Sequence, residues 1–149
     1  MNQPKKSILT KDVKSWIAYD AGNSAFATTV LAAFFPLFFA SYWTAGFDDI
    51  TSTKYFTASL TVINLIILIG MPIVGAITDV KNLTKTFFGI FSFFGALMVA
   101  CFYFVGPNSW LIAIILYGIA LFCFSAAITL YDKILIFISS PSTVSKISG

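Results

Sequence analysis

The sequence predicts an all-α integral membrane protein with four transmembrane helices and both termini in the cytosol. Three observations carry this. Of the 149 residues 58% are hydrophobic and 10% charged, with a mean hydropathy of +0.91. A soluble domain carries about 25% charged residues, and no aqueous core this small would hide so much Phe and Leu. The apolar residues fall into four runs, each near the roughly 20 residues that cross a hydrocarbon core of about 30 Å. The lysines cluster beside alternate ends of those runs, which fixes an orientation.

Residues 1–15, "MNQPKKSILTKDVKS", form a polar, basic tail. The apolar run that follows is too long for the h-region of a cleavable signal, so the tail reads as a cytosolic leader and span one as a permanent anchor. Span one covers 16–43 and is apolar from about Ala21. An outer loop at 44–54 leads to span two at 55–78, and a cytosolic loop follows at 79–85. Lys85 and Asp132 then bracket a charge-free stretch too long for one crossing. The breaker "GPNS" at 106–109 divides it into span three (86–105) and span four (110–131). Residues 132–149 form a cytosolic tail.

With four crossings, Lys5, Lys6, Lys11, Lys14, Lys81, Lys85, Lys133 and Lys146 share one side, leaving Lys54 opposite. The side with more lysine is the cytosolic one. Trp16 then falls at the inner interface and Trp43 and Trp110 at the outer one, as an aromatic belt would place them. Lysines flanking membrane segments suit anionic lipid better than nucleic acid, so the bilayer is the expected partner. Arg, Glu and His are absent, which removes His metal sites, His proton relays and any intramembrane Glu. No cofactor is expected, no enzymatic nucleophile–base pair is present, and Cys101 and Cys123 read as small packing residues.

Polar residues inside a span must find partners, so they map the faces that meet protein or water. Thr57, Thr61, Asn64, Leu68, Pro72, Gly75 and Asp79 recur at steps of three or four, one face of span two, while Ile66, Ile67, Ile69 and Ile73 populate the others. Span four carries Gly118, Phe122, Ser125, Thr129 and Asp132; span three carries Gly89, Ser92 and Ala96. Small residues let membrane helices approach, and hydroxyls and amides bond across the contact. Asn64 is either such glue or the wall of a solute path. Pro36 and Pro72 each remove a helical N–H and are expected to kink spans one and two.

Two segments resemble a known family. "YDAGNSAF", with Tyr19, Asp20, Asn23, Ser24, Ala25 and Phe26, resembles the opening helix of the vacuole-effluxer (autophagy-related) branch of the major facilitator superfamily and its bacterial relatives. "PIVGAITDVKNLTK" is similar to the superfamily's signature loop, with Gly75 and Asp79 matching and Lys85 in a usual basic position. Val80 and Asn82 stand where that pattern has a basic residue and a Gly, so the charge relay that the resemblance implies is either weakened or taken over by Lys81 and Lys85. "LYDKILI" is similar to a family segment with Asn after the Tyr; Asp132 makes it anionic.

The resemblance implies a secondary transporter of small solutes such as amino acids, working by alternating access, in a plasma, inner or vacuolar-type membrane. It also implies about twelve helices in two halves of inverted repeats, of which this chain supplies one triplet and the next helix. "SSPSTVSKISG" resembles a linker into a fifth helix, so the chain is expected to be an N-terminal fragment whose partners are the missing C-terminal helices. Counting from the outer interface puts Asp20, Asp79 and Asp132 at the cytosolic edge near Lys81, Lys85 and Lys133. There Asp20 either caps span one or joins a cluster that latches an inner gate; Asn23 and Ser24, one turn deeper, are candidates for facing the path. An accessory subunit whose polar faces bind a protein partner is the alternative. A small dimeric four-helix antiporter fits less well, since it relies on a Glu in span one.

Overall fold

The computed structural model describes residues 11–80 and 83–138, and those residues are almost entirely helical. The chain forms two compact units, one up to Phe38 and one from Phe39 on. Helix α1 runs as abutting segments: Lys11–Phe26 is α-helical, Ala27–Phe34 π-helical, Phe35–Phe38 α-helical and Phe39–Trp43 π-helical. Helix α2 spans Asp49–Val80 and α3 spans Thr84–Ala100, ending in a 3₁₀ turn at Cys101–Phe104. Helix α4 spans Trp110–Ile138. The stretches Ile17–Trp43, Asp49–Asp79, Thr84–Phe104 and Trp110–Ile134 are long and apolar enough to cross a membrane.

Helix α2 starts ahead of the expected span because Asp48 caps it. The Asp48 carboxylate accepts the Thr51 N–H at 3.0 Å, which satisfies a donor that a helix start leaves open, and its carbonyl accepts the Ser52 N–H at 2.9 Å as the first intrahelical bond. At about 1.5 Å per residue, the 32 residues of α2 run roughly 48 Å, well past the hydrocarbon. The bonds from Thr51 hold the Asp48 carboxyl below its usual range. A carboxylate lowered in this way contributes fully above the unfolded value near 3.9, and the contribution fades as pH falls through the folded value. The first turn of α2 is therefore expected to fray below about pH 4. A lower protection factor for the Thr51 amide there, reproduced at neutral pH by Asp48→Ala, checks this.

Within the second unit, α4 is the packing centre. Ala113, Tyr117, Ala120, Cys123, Ala127 and Leu130 are buried at helical spacing. Helix α3 meets this stripe at Gly95, where an added Cβ would stand 3.3 Å from the Cys123 Cβ. Phe91 meets Phe122 edge-on at 6.2 Å, and Phe88 stacks on Tyr131 at 6.2 Å. Helix α2 reaches α4 on its other flank: a Cβ on Gly118 would meet Ile63 at 3.1 Å, and one on Gly70 would meet Phe122 at 2.5 Å. Lipid gives no hydrophobic drive between helices, so such close approaches are what association rests on. On α3 the expected face holds at Ser92, whose hydroxyl is buried, but not at its other two positions. Gly95 is the contact, whereas Ala96 is exposed and nothing stands within 4 Å of a Cβ on Gly89.

The end where α1 finishes and α2 begins is tied down by polar bonds. Thr44 Oγ1 bonds the Phe39 carbonyl and Ser52 Oγ, each at 2.6 Å and buried. Asn108, in the left-handed region at φ 61°, accepts the Gly46 N–H at 3.1 Å and donates its own N–H to the Tyr42 carbonyl at 3.2 Å. Trp43, expected in a lipid-facing belt, is 2% exposed instead; its indole N–H reaches the Val105 carbonyl at 3.3 Å and its ring packs on Phe102. A protein carbonyl takes the indole N–H, which is the alternative to headgroup contact. Trp110 is half-buried against Tyr55 and Phe47. The side chain of Trp16 lies outside the described residues.

Candidate solute-path face and ion pair

From Thr57 to Pro72 the polar face of α2 is not the face that packs. Ile63, Gly70 and Thr78 are covered or closely approached, while Thr57, Thr61, Asn64, Leu68, Pro72 and Asp79 are all exposed. Threonine hydroxyls here look after themselves: Thr61 Oγ1 donates to the Thr57 carbonyl at 3.0 Å and Thr78 Oγ1 to Val74 at 3.0 Å. Ser125 and Thr129 on α4 do the same to Leu121 and Ser125. Asn64 has no such escape and makes no hydrogen bond among the described residues. It sits halfway along Asp49–Val80, where an unpaired amide in hydrocarbon is expensive. About two turns on, Pro72 has no N–H to give the Leu68 carbonyl, and the α-helical run continues unbroken past it. An amide and a carbonyl short of its helical donor thus lie on one open face at mid-span.

At the other end of that face stands an ion pair. Lys133 Nζ lies 2.8 Å from Asp79 Oδ1 and 3.4 Å from the Gly75 carbonyl. Asp79 is the penultimate residue of α2, and that helix has no basic residue in its last turn. A carboxylate at a helix C-terminus opposes the dipole; the ammonium from α4 offsets both the carboxylate and the terminal carbonyls. The remaining charged candidates are less engaged. Lys85 and Asp132 are exposed and form no ion pair among the described residues, and Lys81 lies outside them.

The 19–26 run belongs to the first unit. Asp20 and Ser24 are exposed and Asn23 is half-buried. Helix α1 is already formed at Lys11, so Asp20 stands about two and a half turns inside it. The capping role for Asp20 is thereby overturned: only the first turn of a helix has open N–H groups to cap.

A groove of about 700 Å³ between α2 and α4 is walled by Ile63, Ile66, Ile115 and Ile119 and floored by Gly118. It carries no charged residue, so it offers a polar solute little. No metal-binding group of three or more His, Cys, Asp or Glu occurs among the described residues.

The family described as "Vacuole effluxer Atg22 like" matches residues 42–143. That stretch takes in the Gly75–Asp79 segment, both members of the ion pair and the whole of α2, and leaves the 19–26 run outside. The chain is also similar to YxiO of Bacillus subtilis (strain 168), described as an uncharacterized MFS-type transporter. The two are 31% identical over 141 residues, covering 94% of this chain and 33% of the relative. The chain therefore spans about a third of the length of that relative. No solved structure matches. With four apolar helices of spanning length and a family match over most of its length, this integral multi-pass membrane protein belongs to the vacuole effluxer Atg22-like family.

Proposed function

We propose that the chain is the N-terminal part of a major-facilitator secondary transporter that moves a small solute by alternating access, with the open face of α2 as part of the solute path. The observation that carries this is Asn64, an exposed amide at mid-span with no hydrogen bond among the described residues. The helices that complete the path come from the rest of the longer protein. The Asp79–Lys133 pair acts as the latch at the cytosolic end, and Asp20, Asn23 and Ser24 contribute the corresponding polar turns of α1.

The latch is tested in the full-length protein by reconstituted uptake. The pair is partly exposed, at 28% for Lys133 and 63% for Asp79, so its worth to stability is small, about 0–1 kcal/mol. Asp79→Asn and Lys133→Ala are therefore expected to leave the melting temperature unchanged while lowering uptake about tenfold, the effect of a 1.4 kcal/mol shift between conformations. The exchange Asp79→Lys with Lys133→Asp should recover much of it. Wild-type uptake by both single variants contradicts the latch, and unchanged expression and uptake in Asp20→Asn removes Asp20 from it. An accessory-subunit reading would instead require a fixed protein partner to co-purify and the full-length protein to show no uptake of its own.

A further inference from the structure

Helix α1 departs from α winding most in Ala27–Phe34, where eight residues close π turns and the Phe35 N–H reaches back to the Val30 carbonyl. A π turn holds an extra residue, and most π segments are single-turn bulges that gather at functional sites. This one is longer. Pro36 stands just after it. In plain α winding the proline ring would clash with the Ala32 carbonyl; the wide turn carries that carbonyl away. A π-to-α junction also skips one acceptor, so a residue lacking an N–H costs least there. The proline accounts for the last wide turn only, since its ring reaches no further than the four residues before it. At the upstream junction Thr28 Oγ1 lies 2.9 Å from the Ser24 carbonyl and 3.3 Å from that of Ala25. The π segment is thus braced at both ends, by a hydroxyl at one and a proline at the other.

We propose that Ala27–Phe34 is a rotary register: its π winding, held by Pro36 and Thr28, sets the direction in which Lys11–Phe26 presents Asp20, Asn23 and Ser24, and rewinding to α turns that part about its own axis. Asp20, Asn23 and Ser24 are spaced i, i+3, i+4 and so move as one face. Each extra residue that a wide turn holds and α winding absorbs turns that face by about 100°. The backbone bonds are exchanged rather than lost.

The test reads the accessible face directly and needs no transport. In the full-length protein, with Cys101→Ala and Cys123→Ala as background, single cysteines are placed in turn at positions 19 to 26. Vesicles are then labelled with a charged, membrane-impermeant maleimide. Pro36→Ala is expected to move the fastest-labelled positions by about 100° around the helix. Deleting Ala33 with Pro36 kept is expected to leave the same positions fastest, because removing one residue turns a π turn into an α turn without changing the phase. The proposal is overturned if Pro36→Ala labels like its parent, or if the deletion turns the pattern as it would in a plain α-helix. Where Pro36→Ala fails to reach the membrane, the deletion decides alone.

Discussion

Replacing Asn64 by leucine should abolish uptake by the full-length protein while leaving its amount in the membrane and its melting temperature unchanged or raised. The two readings of this residue separate on stability. If Asn64 were glue between helices, losing it would forfeit a hydrogen bond worth about 0.6–2 kcal/mol in a membrane. Asn64 is exposed and makes no such bond among the described residues, so there is no bond to lose. Leucine removes an amide whose exposure to hydrocarbon costs about 1–3 kcal/mol and which only a wet path or a solute would reward. Uptake measured beside thermal denaturation gives both numbers from one preparation. Asn64→Gln, which keeps the amide but moves it by one methylene, should retain a fraction of the rate.

The second large effect is on assembly. Gly95→Leu is expected to lower stability by about 1–3 kcal/mol, the range for overpacking a tight contact. The reason is where the new atoms would go: the Cβ meets the Cys123 Cβ at 3.3 Å and the Ala120 carbonyl at 3.9 Å. Both are anchored to the backbone of α4 and neither can swing aside, so α3 must retreat along its whole length. Gly95→Ala should show a smaller loss of the same sign. Gly89→Leu is the control, since nothing stands within 4 Å of its Cβ, and it should be close to neutral. Denaturation of the detergent-solubilised protein orders the three variants.

The apolar runs made the fold class legible, because twenty residues without charge have few other destinations than a bilayer. Which face of each helix packs was much less so. In water the packed face is the apolar one; in lipid every face is apolar, and contact is decided by shape. Gly95 and Ala96 are both small, and only the pitch of α3 against α4 tells them apart. The stripe from Thr57 to Asp79 could be read from spacing, but its exposure could not, since a polar stripe serves an interface and a water path equally well. Lys133 was visible as a cytosolic cation; its choice of Asp79 over the adjacent Asp132 depends on α4 continuing as helix through both residues to Ile138. That continuation aims Lys133 at the end of α2. The same helical reach removed the cap from Asp20: α1 is formed well before the apolar run begins. Pro36 announced a disturbance, yet the sequence carried no sign that it would take the form of π winding upstream.

The proposed path requires the open face of α2 to meet water inside the complete protein. Labelling of Asn64→Cys by a small charged thiol reagent, in the full-length protein lacking its native cysteines, tests this most directly. Ile66→Cys is the reference, at nearly the same depth but about 200° around the helix and 56% exposed on an apolar face. Asn64→Cys is expected to react readily while Ile66→Cys stays inert. Equal inertness at both positions would place the polar face against lipid or packed protein and contradict the proposed path.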